Sequence, residues 1–220
     1  MDASLDTDIV IHLYKSNKQE LIFSSFNKLY MYDFLFENEL RKRAYNIYER
    51  VKIDVTLEKI KIITNRDLIN MGIKGLFEEY KDTNKYLFDQ GELHAIALAK
   101  AMGIAAFVSD DTKDQGPHQT LVKELISDVI PFAFYELLFL KYLNSELTVD
   151  EFYLSFQEVN NNSMKERPMN FKWKITETVK RFSNKYGTER DKTWILDYCK
   201  PNRINLKCKM KELKELLKSI

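Results

Sequence analysis

The stretch Gln90-Gly91-Glu92-Leu93-His94-Ala95-Ile96-Ala97-Leu98-Ala99-Lys100-Ala101-Met102-Gly103-Ile104-Ala105-Ala106-Phe107-Val108-Ser109-Asp110-Asp111 decides the fold. Leu93, Ile96, Ala97 and Ala101 recur at helical spacing, which predicts a helix over 90–102. Gly103 stands where a left-handed helix cap belongs. Residues 104–109 follow as a short apolar run, read as a buried strand, and Asp110-Asp111 closes it. Helix, glycine, strand is an α/β connection. In open α/β sheets ligands bind at the carboxyl ends of the strands, which is where these two aspartates fall.

The same alternation extends upstream. Residues 29–31 and 60–64 read as strands, and 17–26, 33–48 and 67–80 as helices. Downstream, 132–143 and 149–159 are helical and aromatic. Asn160-Asn161-Asn162-Ser163 reads as a polar linker, and 172–185 and 210–217 as basic helices. Phe132, Phe134, Tyr135, Phe139 and Tyr142 read as helix-packing residues, not a base-stacking platform. His12, His94 and His118 read as core or surface histidines. The expected architecture is an α/β body over residues 1–130 with a helical, basic C-terminal extension over 131–220.

Composition agrees with a helix-rich protein. The chain of 220 residues has 6 Gly and 4 Pro, far below the roughly 12% usual for globular proteins. An all-β sandwich needs more turn residues than this. The two cysteines, Cys199 and Cys208, make no disulfide framework and have no zinc-type spacing. No apolar run reaches the roughly 18 residues of a membrane span. The opening Met1-Asp2-Ala3-Ser4-Leu5-Asp6 is acidic and short, unlike a secretion signal. A cytoplasmic location is expected, with no membrane partner.

The net charge of +1 hides a split. Residues 1–162 carry 18 Lys+Arg against 26 Asp+Glu, and residues 163–220 carry 16 against 7. One reading is an acidic metal site beside a phosphate-binding surface; the other is a solvated basic helical face. Acids recur where a sheet edge can gather them: Asp6 with Asp8, Glu37 or Glu39, Glu92, and Asp110 or Asp111 with Asp114. Converging carboxylates repel, and a hard cation such as Mg²⁺ or Mn²⁺ neutralises them with oxygen ligands. Each acid also has a structural reading: Asp6 as a helix cap, Glu92 as an acid favoured by the helix dipole, Asp110 and Asp111 as turn residues, Glu37 and Glu39 as surface acids.

The order of these pieces resembles the PIN-domain nucleases. Leu5-Asp6-Thr7-Asp8-Ile9-Val10-Ile11 is similar to their opening motif, residues 30–40 ending in Glu39-Leu40 to the second, Gly91-Glu92-Leu93-His94-Ala95-Ile96-Ala97-Leu98-Ala99 to the Gly-Glu form of the third, and Phe107-Val108-Ser109-Asp110-Asp111 to the fourth. The resemblance implies a three-layer α/β/α fold with a parallel sheet and metal-dependent cleavage of RNA. It implies metal ligands at Asp6, Glu39, Glu92 and Asp110 or Asp111, with Asp8, Glu37 and Asp114 as further candidates. Glu39 is favoured over Glu37 because Leu40 follows it. Lys172, Lys174, Lys180, Arg181 and Lys185 are the expected contacts to single-stranded or looped RNA. Many bacterial members are toxins of toxin–antitoxin pairs, so an inhibitory antitoxin is one partner the resemblance implies; the aromatic helices over 132–159 read either as a homodimer or inhibitor surface or as part of the core. Two alternatives stand beside this. One is a catalytically degenerate PIN-like binding or interaction module. The other is a haloacid-dehalogenase-like phosphatase, with Asp6 as nucleophile and Asp8 as acid/base.

Overall fold

The computed structural model describes residues 1–110, 128–183, 185 and 187–219. The chain forms two compact units, Met1–Phe134 and Tyr135–Ile220. The first is an α/β unit built on five parallel strands: β1 (Ala3–Leu5), β2 (Leu29–Tyr32), β3 (Ile60–Ile63), β4 (Ala106–Val108) and β5 (Ile130–Phe132), in the order β3-β2-β1-β4-β5. The central position of β1 follows from its residues. Ala3, Ser4 and Leu5 are wholly buried, as a strand covered on both faces requires. Ala3 pairs with Leu29 on one side and Ala106 on the other.

Helices α1 (Thr7–Lys15), α2 (Glu20–Ser25), α3 (Arg41–Arg43), α4 (Tyr45–Thr56), α5 (Asn65–Asn70), α6 (Lys74–Asn84) and α7 (Gln90–Met102) join the strands. The small buried residues Ala95, Ala97 and Ala99 let α7 approach the sheet closely, and the Ser4 hydroxyl donates to the Ala95 carbonyl at 2.8 Å. Gly103, at φ +66°, ends α7, and the Ile104 N–H returns to the Ala99 carbonyl at 2.8 Å. This left-handed turn points the chain into β4.

Several expectations change. The helix expected over 33–48 is a π-helical run, Phe34–Leu40, passing into α3 and breaking at Ala44 before α4. The helix over 67–80 is two, α5 and α6. The body does not end at residue 130, because β5 runs across that boundary. Pro131 sits in this edge strand, where its missing N–H costs no ladder bond.

The second unit is helical: α8 (Phe134–Leu143, whose first residue closes the first unit), α9 (Val149–Ser163), α10 (Phe171–Arg181), α11 (Glu189–Cys199) and α12 (Leu206–Ser219). Asn160-Asn161-Asn162-Ser163 is not a linker but the last turn of α9. Asn160 is buried, donating to the Met169 carbonyl at 3.1 Å and accepting the Met169 N–H at 2.8 Å. Phe132, Phe134, Tyr135, Phe139 and Tyr142 are all buried. Arg181 is buried too, bonding both oxygens of Asp191 at 2.7 and 3.1 Å and Glu136 at 2.9 Å.

Candidate functional site

The site starts where β1 stops. Asp6 leaves the strand and caps α1, its Oδ1 accepting the Thr7 N–H at 2.6 Å. Its backbone N–H donates to the Val108 carbonyl at 3.0 Å, and its Oδ2 accepts the Ser109 hydroxyl at 2.7 Å. The carboxylate is therefore fixed from both β1 and β4. The strand order reverses at β1, so this is the crevice in which doubly wound sheets bind ligands.

Thr7 does a second job. Its hydroxyl donates to Glu39 Oε2 at 3.0 Å and draws the π-helical run toward Asp6. Arg43, four residues on, bonds Glu39 Oε1 at 2.9 Å and Asp8 Oδ1 at 2.5 Å. A third acid arrives with α7. Asp89 caps that helix, its Oδ1 accepting the Glu92 N–H at 3.0 Å. The three meet around Gly91. A Cβ on that residue would stand 2.8 Å from Asp6 Oδ1, 3.3 Å from Glu39 Oε2 and 3.4 Å from Asp89 Oδ1. Three carboxylates from three segments thus border one small space that only glycine leaves open.

The electrostatics match this crowding. Burial pushes the Asp6 carboxyl well above the usual range; repulsion from Asp8, Asp89 and Glu39 adds to it, and the Ser109 hydroxyl opposes it. Arg43 is held more firmly charged than usual: burial works against it, and Asp8 and Glu39 outweigh that.

Among the other sequence-predicted residues, Glu37 and Asp110 are bonded to partners outside this group. Glu37 accepts the Tyr48 hydroxyl at 3.0 Å and pairs with Arg41 at 3.4 Å, so it is Glu39 that reaches the Asp6 group. Glu92 is buried in the first turn of α7. Asp110 serves the start of α8 instead, its Oδ1 accepting the Phe134 N–H at 2.7 Å and its Oδ2 lying 3.3 Å from His12 Nδ1. Asp111, Asp114 and His118 lie outside the described residues. Lys172, Lys180 and Lys185 are exposed. Lys174 and Arg181 are buried and present no charge to RNA, a correction to the expected binding set. Lys174 lies under the rings of Trp173 and Tyr135, at 4.6 and 5.8 Å.

Sequence reading missed Asp89, Arg43 and Ser109. Asp89 carried a signal, an Asp before a helix that starts Gln-Gly-Glu, which is N-cap chemistry. Arg43 carried one too, four residues after Glu39 on a helical segment.

The donor chemistry of the Asp6 group is that of a hard-cation site, all oxygen and partly desolvated. As the side chains stand, no group of three or more His, Cys, Asp or Glu among the described residues is arranged to hold a metal ion. Arg43 occupies the role of neutralising charge. Among the described residues no helix is long and apolar enough to cross a membrane. Compared with protein-family models, curated proteins and solved structures, the chain matches none.

Proposed function

We propose that the first unit is a PIN-like nuclease domain of three α/β/α layers that hydrolyses RNA phosphodiester bonds with Mg²⁺ or Mn²⁺. One observation carries the reading: Asp6, Glu39 and Asp89 converge on the space kept open by Gly91, at the switch point of a parallel sheet. These three carboxylates would hold the cation, which supplies Lewis-acid activation of water and of the phosphate. Asp6 is pre-positioned by Thr7 and Ser109, and Glu39 by Thr7. Asp8 keeps Arg43 at the rim, where a guanidinium is suited to grip a phosphate in two-pronged fashion. Lys172, Lys180 and Lys185 remain as candidate backbone contacts.

The test is cleavage of labelled RNA and single-stranded DNA in Mn²⁺, Mg²⁺ or EDTA, with Asp6→Asn purified in parallel. Metal-dependent cleavage by the native chain alone supports the reading. Equal cleavage by Asp6→Asn overturns the assignment of Asp6.

A second reading has its own observation. Arg43 already balances Asp8 and Glu39, as suits a metal-free module that binds nucleic acid without cutting it. Binding of RNA that ignores EDTA, with no cleavage in either metal, favours this reading.

A further inference from the structure

The basic charge of the last 58 residues is only partly used up by ion pairs. Arg181 and Lys174 are buried; most of the rest lie further along the chain. There, α11, the turn at 200–205 and α12 enclose an open groove of about 950 Å³. Its floor is aliphatic: Leu196, 51% exposed, with Ile204, Leu206 and Met210. Its rim is cationic: Lys200, Arg203, Lys207, Lys211 and Lys214. Among the described residues none of these five is in an ion pair. The one acid of the lining, Glu215, is paired with Lys218 at 2.9 Å.

Lys207, Lys211 and Lys214, in no ion pair among the described residues, repeat at the spacing of one helix face. Like charges at that spacing destabilise a helix by a few tenths of a kcal/mol per pair, so α12 carries a repulsion that an anionic partner would relieve. The floor decides which anion. Single-stranded nucleic acid binds by stacking bases on free aromatic faces. The ring in this lining, Phe182, is wholly buried and already packed against Phe139 and Trp194. An aliphatic floor with a flexible methionine suits aliphatic side chains.

We propose that this groove docks an acidic amphipathic helix of a partner protein, its apolar stripe on Leu196 and Met210 and its carboxylates against the lysine rim. The groove shares no residue with the Asp6 group and does not depend on the nuclease reading.

The experiment uses the full chain and a fluorescent peptide roughly 18 residues long, about five helical turns, with Leu at helical spacing and Glu on the other faces. A peptide of identical composition with the Leu scattered is the comparison. The patterned peptide is expected to bind at least about tenfold more tightly, a difference of about 1.4 kcal/mol, and to weaken as NaCl is raised. Leu196→Glu and the pair Lys207→Glu with Lys211→Glu should each weaken it by about tenfold or more, with circular dichroism unchanged. Three results overturn the proposal: equal binding of the two peptides, displacement of the patterned peptide by a uridine oligonucleotide, or a concentration-dependent dimer that Leu196→Glu abolishes. The last would assign the groove to a second copy of the chain.

Discussion

Replacing Gly91 with alanine adds one methyl group, and the structure says what it meets. Gly91 is the second residue of α7, and Gly75 is the second residue of α6. A Cβ at Gly75 meets nothing within 4 Å, whereas one at Gly91 meets three carboxylate oxygens, the nearest at 2.8 Å. Intrinsic preference is the same at both sites: alanine gains up to about 1 kcal/mol over glycine within a helix. At Gly75 that gain should appear as a small stabilisation. At Gly91 it is opposed. Asp6 cannot swing aside without losing the Thr7 N–H and the Ser109 hydroxyl, and bonds to a charged group are each worth about 1.5–3 kcal/mol. Overpacking of this kind typically costs about 1–3 kcal/mol. The gap between the two variants should therefore be on the order of 2 kcal/mol, with Gly91→Ala the less stable. Urea unfolding followed by circular dichroism measures it directly. Gly91→Ala should also lose at least about tenfold in Mn²⁺ affinity by calorimetry, or about 1.4 kcal/mol. If Gly91→Ala is as stable as Gly75→Ala and binds Mn²⁺ as the native chain does, the three carboxylates do not crowd Gly91 and the argument for the site fails.

Two further predictions concern the second unit. Arg181→Met leaves Glu136 and Asp191 buried around a lost charge, and breaking a buried ion group in this way costs about 3–5 kcal/mol; a loss under about 1 kcal/mol in urea would show that the group is solvated. Asp191 is held down at about 2, because the bonds from Arg181 and Arg190 outweigh its burial. A folded value below the ordinary 3.8 stabilises the fold above about pH 4, and the contribution fades as pH falls toward 2. The stability gap between the native chain and Asp191→Asn should thus shrink by on the order of 2 kcal/mol across that window; a gap independent of pH would refute the pairing.

What the sequence disclosed depended on the range of the interactions. The segment from α7 through Gly103 to β4 was legible because its signals are local: helical spacing, a glycine at the cap, a short apolar run. Strand β5 was not, since three residues including Pro131 carry no strand period. The π-helical run was hidden for a different reason. Over seven residues its apolar positions mimic an α-helix, and the wider winding goes with tertiary contacts such as Thr7 to Glu39, which leave no local signal. Arg181 looked like a surface cation because its partner Glu136 lies 45 positions earlier in the chain. Asp6 was legible as a strand-end acid, yet its role as a helix cap was equally visible, and the side chain does cap α1 while standing in the carboxylate group. Asp110 shows the opposite outcome: its place after β4 drew attention, and its two oxygens are committed to Phe134 and His12.

The π-helical run over Phe34–Leu40 has a consequence for how this chain tolerates sequence change. A π-helix is wound wider than an α-helix, so its residues each turn by less than the ordinary roughly 100°. Tightening the same seven residues to α geometry would overwind the run, and by Glu39 the accumulated turn would carry the carboxylate away from Thr7 and Asp6. Substitutions that favour α-helix here would therefore improve the backbone while taking the acidic group apart. A screen by melting temperature alone would keep them, because here the local optimum of the backbone and the geometry of the site are in opposition.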